Sequence, residues 1–266
     1  MKERIIWLDN LKGFLIFIVV LGHTILFTNN EGDSNVFYRY ISSFWMALFM
    51  FTSGFASYKT TPNYKVIWHR FKQLIIPFIS WSVILCIINK NSNIVDLLLY
   101  PSKSVWFLWA LFFINSIVVI VCKVAQSSRL SEEKLSFITV MLLLFSAKVV
   151  KNSDVFALNL ICLHSVNYTV GYFVRKHFDS ILNLSNSIWY IGGGVFLIMA
   201  YFNQGVFMPL GLPSHFHIIY DILCGLLSFM LFVSIFTNIK LSSSFLRKWG
   251  GNFRYICYTY CCVYVV

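Results

Sequence analysis

The sequence predicts an all-helical bundle threaded through a lipid bilayer, with about nine spans and a cytoplasmic N-terminus. Three observations predict it. First, 58% of the 266 residues are hydrophobic and 12% are charged, with a mean hydropathy of +0.73. An average soluble domain carries about 25% charged residues, so this chain cannot cover a folded surface with polar side chains. Second, the apolar residues come in runs close to the roughly 20 residues a helix needs to cross a hydrocarbon core of about 30 Å. Third, the cations gather in short connectors between those runs, the pattern that sets the orientation of a membrane protein. The formal charge of +11 would otherwise raise nucleic-acid binding. Placed in short connectors it reports topology, and no nucleic-acid partner is expected. The ten-residue alternation of a membrane barrel is missing, which leaves helices as the way to satisfy backbone groups in lipid.

The first run, 13 to 29, follows Asp9 and Lys12 and holds one ionisable side chain, His23. Its charged start resembles a secretory signal, but no alanine precedes Ala47, so a small-residue cleavage site is missing and the segment is expected to be retained. The second run, 37 to 57, carries Ser53 and Gly54 near its end, where a glycine stop is the simple structural reading. A basic stretch with Lys59, Lys65, Arg70 and Lys72 leads into the third, 73 to 89. The fourth, 105 to 124, opens on Trp106. The fifth and sixth, 135 to 151 and 155 to 174, are separated by a short turn with Lys148, Lys151 and Asp154, and read as two spans or as one re-entrant hairpin. The seventh, 187 to 203, contains Gly192-Gly193-Gly194, more plausible as a close helix contact than as a phosphate cradle. The eighth covers 218 to 238. A ninth, 255 to 266, is twelve residues long and reaches about 18 Å if helical.

Orientation follows from counting lysines and arginines. With the N-terminus inside, sixteen fall in inner segments and five in outer ones, so a cytoplasmic N-terminus is expected. Glu31 and Asp33 then lie in the first external loop. The seven cysteines lack the paired spacing of a zinc site, so they are expected to act as small buried apolar side chains, and no metal is expected.

An ionisable group at membrane depth costs roughly 2.5 kcal/mol or more for the charged types, which makes His23 a functional candidate. Lys12 lies eleven positions earlier, so the imidazole sits about 16 Å deeper, near the midplane of the bilayer. A neutral imidazole accepts a proton from a hydroxyl, the task of a general base. A histidine packed and bonded against a neighbouring helix is the alternative. Gly13 and Gly22 on the same run allow other helices close approach.

The segment Leu8-Asp9-Asn10-Leu11-Lys12-Gly13 through Val19-Val20-Leu21-Gly22-His23 resembles the first helix of the membrane-bound acyltransferase type 3 family, especially its fucose 4-O-acetylase-like branch. That family's hallmark is a basic residue, usually arginine, then ten residues and a histidine. Lys12 stands here in place of the arginine, which removes the planar bidentate fork. Phe44 to Phe55 is similar to the family's second span, with Trp45 and Ala47 where many members have histidine and proline. Arg70 to Phe78 resembles the basic loop and proline-bearing third span. Trp106 to Leu111 resembles the start of the fourth, and Gly171 to Lys176 the inner end of the sixth. Together these cover most of residues 5 to 177. Beyond them, Gly250-Gly251-Asn252 is followed by a cysteine- and tyrosine-rich end that departs from the family pattern, so a single domain over 1–266, incomplete at its C-terminus, is expected.

The resemblance implies an O-acyltransferase of the inner or plasma membrane that moves an acetyl group from cytoplasmic acetyl-CoA to a hydroxyl of a cell-surface or exported carbohydrate. His23 and Lys12 are the expected catalytic pair. Asp9, Ser53, Gly54, Arg70, Trp106, His164, His217 and Asp221 are the expected donor- and substrate-binding residues. Asp221 follows His217 by four positions, one helical turn; the pair suits a sugar ring, while the rim of a membrane-interface anchor is the simpler reading. His164 and Asn167 lie deep in the sixth run, as cavity lining or as cross-helix hydrogen bonds. The rival classes are a glycan or organic-acid transporter in which His23 relays protons, and an inactive family member.

Overall fold

The computed structural model describes residues 5–28, 35–59, 63–88, 93–150, 155–178, 181, 186–202 and 214–238. Among them every regular element is a helix. Four stretches are long and apolar enough to cross a membrane: Ile6–Leu26, Lys65–Ile88, Trp106–Ser127 and Ile219–Thr237. The expected ninth run lies outside the described residues, as do 151–154 of the turn between the fifth and sixth.

The helices are α1 (Ile6–Thr28), α2 (Val36–Ser42), α3 (Trp45–Ser57), α4 (Lys65–Arg70), α5 (Ile76–Ile88), α6 (Ile94–Leu99), α7 (Trp106–Ser127), α8 (Glu132–Val150), α9 (Leu158–Lys176), α10 (Asn186–Phe202) and α11 (Ser214–Asn238). Two departures from the sequence reading have local causes. The second run is split at Ser43–Phe44, where the Ser42 and Ser43 hydroxyls donate to the Arg39 carbonyl at 3.0 Å and the Tyr40 carbonyl at 2.7 Å, and the α2 before it is started by Asn35, which accepts from the backbone N–H groups of Phe37 at 2.9 Å and Tyr38 at 3.2 Å. The basic stretch before the third run is helical from Lys65, whose backbone N–H donates to Asn63 Oδ1 at 2.9 Å. A π-turn, Phe71–Ile75, then joins α4 to α5, and the Ile76 N–H reaches the Phe71 carbonyl. Pro77 explains that wide turn: proline has no N–H to donate, and its ring would clash with the carbonyl four residues back.

Hydroxyls inside the helices return hydrogen bonds to the preceding turn, as Thr24 does to the Val20 carbonyl, Ser80 to Ile76 and Ser116 to Phe112. This satisfies polar groups where lipid offers no partner.

The chain forms two compact units, Met1–Thr52 with His177–Val266, and Ser53–Lys176, whose boundary falls inside α3. In the first unit α1 buries Leu8, Leu11, Leu15, Val19 and Gly22, spaced by three and four residues along one face. Phe14 on α1 meets Phe232 and Phe236 of α11, and Phe44 meets Phe196 of α10 and Phe232. The glycine run behaves as expected: an added Cβ would touch Met230 at Gly192 and Leu231 at Gly193, while Gly194 faces open space.

In the second unit α7 is central and packs on α8, α9 and the π-turn. Its buried stripe runs through Leu111, Ile114, Val118, Cys122 and Ala125. Within that stripe the Asn115 amide donates to the Tyr168 hydroxyl of α9. Cys122, Cys162 and Cys224 are buried free thiols, as the sequence reading expected of small apolar side chains.

Candidate active site

In the first unit, α1 carries Asp9, Lys12 and His23, all half-buried. Eleven residues at about 100° each bring Lys12 and His23 to within about 20° of the same helix face, roughly 16 Å apart along the axis. The membrane-capable part of α1 is Ile6–Leu26, whose middle is Ile16. His23 therefore lies about 10 Å along the helix axis from the middle of that stretch. The sequence estimate took Lys12 as the surface, whereas the apolar helix already begins at Ile6.

Trp45, at the start of α3, lies against the imidazole with ring centroids 5.1 Å apart, tilted by 37°. Gly22 makes that approach geometrically available, because a Cβ there would fall 2.3 Å from Trp45 Cζ3. Tyr38 of α2 meets the same indole edge-on at 6.2 Å. Sequence reasoning marked Trp45 only as a departure from the family and missed it as a neighbour of His23. The available signal was the glycine directly before the histidine.

On α11, His217 and Asp221 both belong to a helix that begins at Ser214, four residues earlier than expected. Asp221 is exposed, and the side chain of His217 lies outside the described residues.

In the second unit, Ser53 and Gly54 are inside α3 rather than at a glycine stop, since the helix continues to Ser57. The glycine is needed for packing: a Cβ at Gly54 would fall 2.0 Å from the Tyr168 backbone oxygen. That contact lays the end of α3 on the backbone of α9. Nearby, Tyr58 meets the Tyr172 ring at 5.1 Å, the Tyr172 hydroxyl donates to the Lys59 carbonyl at 3.3 Å, and the Arg175 guanidinium lies 5.3 Å over the Phe55 ring. Ser53 is buried, and its hydroxyl has no hydrogen-bond partner among the described residues.

Arg70 donates from Nη2 to Ser57 Oγ at 3.0 Å and from Nη1 to Gln73 Oε1 at 3.2 Å. These bonds use two of the five N–H donors of a guanidinium. Beyond the same ends of α8 and α9, Lys176 pairs with Glu133, and with Glu132 at 3.6 Å. Lys176 holds the Glu133 carboxyl down to about 2, and Glu133 in turn raises the Lys176 ammonium above its ordinary value.

Trp106 stacks on His164 with centroids 5.4 Å apart and planes 17° from parallel. His164 Nδ1 and the buried Asn167 Oδ1, one turn on, have no hydrogen-bond partner among the described residues. Trp109, one turn after Trp106, donates from Nε1 to the Phe156 carbonyl at 2.9 Å. This pins a turn in which Phe156 and Ala157 hold φ of 55° and 50°, a strained conformation for residues with side chains. Sequence reasoning singled out Trp106 and passed over Trp109, whose role depends on a carbonyl 47 positions away.

The structure thus pairs Trp106 with His164 and Arg70 with the end of α3. Lys12 and His23 belong to the first unit. A separate, shallow cleft between α7, α8 and α9, with room for about one water, is lined by Ser136, Thr139, Ser165 and Thr169 among aliphatic side chains, and holds none of the predicted site residues.

A family model described as an acyltransferase domain matches residues 5–260, well past residue 177 where the recognisable motifs leave off. No curated protein and no solved structure matches the chain.

Proposed function

We propose, from the premise that this chain belongs to the membrane acyltransferase type 3 family, that it transfers an acetyl group from cytoplasmic acetyl-CoA to a hydroxyl of a cell-surface or exported carbohydrate. The enzyme is an acyltransferase with membrane-embedded helices. The donor, the acceptor, the fucose 4-O-acetylase-like branch, the inner or plasma membrane and the cytoplasmic N-terminus are the finer reading. The observation that carries it is the imidazole of His23 on the Lys12 face of a membrane-capable helix, held against Trp45.

In this reading His23 removes the proton from the acceptor hydroxyl as its oxygen attacks the thioester carbonyl. The carbon–sulfur bond breaks, and the imidazolium returns the proton to the departing thiolate. The alternative order, with the acetyl group carried briefly on His23, uses the same residue and the same balance. Lys12 offers a point charge to the donor or to the developing oxyanion. Arg70 has donors left for a phosphate oxygen beyond those given to Ser57 and Gln73. Trp106 and His164, with unpartnered polar atoms at His164 and Asn167, suit a hydroxyl-rich ring stacked on an aromatic face.

The test is His23→Ala. Acetylated glycan, measured by NMR of extracted polysaccharide, falls by about 10²- to 10⁴-fold while the protein stays in the membrane fraction. Undiminished acetylation removes His23 from the chemistry. Lys12→Arg keeps activity and Lys12→Ala loses most of it, whereas equal activity in all three proteins would exclude Lys12.

A further inference from the structure

The four cations of the segment before α5 do not face the same way. Arg70 is half-buried and turned onto Ser57 and Gln73. Lys65 and Lys72 are exposed, and so are Tyr64 at 53% and Trp68 at 61%. Lys72 Nζ lies 5.3 Å from the Trp68 ring centroid. The indole is braced from within: Phe71 stacks on it at 5.3 Å, 6° from parallel, and Phe71 is itself seated edge-on against Phe112 of α7. Beyond the π-turn the exposed residues become apolar, through Ile76, Ile79, Val83 and Ile87.

That sequence of side chains, a lysine and an indole above an aliphatic stripe, matches the layering of a bilayer leaflet, headgroup above acyl chain. The charge is one-sided as well. No aspartate or glutamate occurs between Asp33 and Asp96, so the exposed lysines have no acidic side chain in their own stretch of chain.

We propose that Lys65, Trp68 and Lys72 form a docking site for the headgroup of an anionic phospholipid at the Lys65 end of the Lys65–Ile88 span. The two ammonium groups donate to the lipid phosphate, the Trp68 ring lies at the glycerol level, and the acyl chains run along Ile76 to Ile87. Arg70, facing inward, is left to the chemistry of the site. The proposal depends only on the span being in a membrane and stands apart from the acetyl-transfer reading.

The experiment reconstitutes the full chain in phosphatidylcholine vesicles and titrates in phosphatidylglycerol or phosphatidylcholine with brominated acyl chains, which quench nearby indoles. Eight tryptophans are present, so the Trp68 share is the difference between the protein and Trp68→Phe. The expected result is quenching of that share at a several-fold lower mole fraction of the anionic lipid. Lys65→Gln with Lys72→Gln removes the preference, about fivefold for each lysine lost, and Lys72→Arg keeps it. Equal quenching by the two lipids, or a preference that survives both glutamines, overturns the site. No quenching by either lipid does so too, because the face is then covered by protein.

Discussion

Gly22 and Trp45 set the position of the His23 ring, and that dependence can be tested apart from the imidazole itself. A methyl group at Gly22 would fall 2.3 Å from Trp45 Cζ3 and 3.1 Å from Ile41 Cγ2. In Gly22→Ala the indole must move and release the ring it touches. A displacement near 1 Å costs up to about 100-fold in turnover. If the proposed acetyl transfer through His23 holds, its kinetics should show kcat falling with the donor KM little changed; an unaltered kcat would mean that Trp45 does not position the imidazole. At this scale the sequence was informative where a side chain was out of place chemically, as His23 is in an apolar run. It was silent where the role belongs to a contact. Trp45 and Trp109 read as ordinary membrane aromatics until Gly22 and the Phe156 carbonyl are seen beside them.

The packing of α3 on α9 turns on one residue. Because Gly54 meets the Tyr168 backbone and not a movable side-chain tip, Gly54→Ala must push two helices apart. We expect a loss of about 3 kcal/mol or more, read as a lowered unfolding midpoint in detergent. Gly194→Ala, facing open space, should be neutral or stabilising by up to about 1 kcal/mol. If the two variants melt alike, the α3–α9 contact is not the cause.

The Lys176–Glu133 pair gives these ends a pH dependence. The folded carboxyl is depressed from 4.5 to about 2, so its contribution is full above about 4.5 and is lost as pH falls toward 2. The lysine is raised above 10.5, so the pair persists below that value and weakens as pH rises through it. Both groups are largely exposed, which limits the effect to about 1 kcal/mol. The difference in unfolding midpoint between the protein and Glu133→Gln should vanish in acid; a constant difference would exclude the ion pair. Long apolar runs made the helices themselves legible. The break at Ser43–Phe44 and the early start at Lys65 were not, because each goes with local side-chain bonds to backbone, from the Ser42 and Ser43 hydroxyls in one case and to Asn63 in the other.

For the molecule as a whole, the exposed faces carry large apolar side chains, including Phe137, Leu142 and Phe145 on α8 and Ile191 and Ile198 on α10. Aliphatic and aromatic surface on this scale belongs against lipid rather than water. The orientation read from the lysines and arginines gives a direct expectation. Alkaline phosphatase fused after Ser127 should be inactive and fused after Lys103 active; the reverse pattern would invert the topology. The fold class was legible because a bilayer imposes a run length that can be counted in the chain, and the family because the Lys12-to-His23 segment and the motifs after it resemble that family's helices. Pairing Trp106 with His164 and Arg70 with Ser57 required the structure, since each contact joins residues far apart in the chain.

The π-turn at Phe71–Ile75 holds one residue more than the ordinary helix would need. If the same five residues wound as ordinary α-helix instead, everything before them would swing by about 100° relative to α5. Arg70 would then lose its aim at the Ser57 hydroxyl. A one-codon deletion that came with the change in winding would cancel the swing, so chain length and winding at this turn are matched to each other.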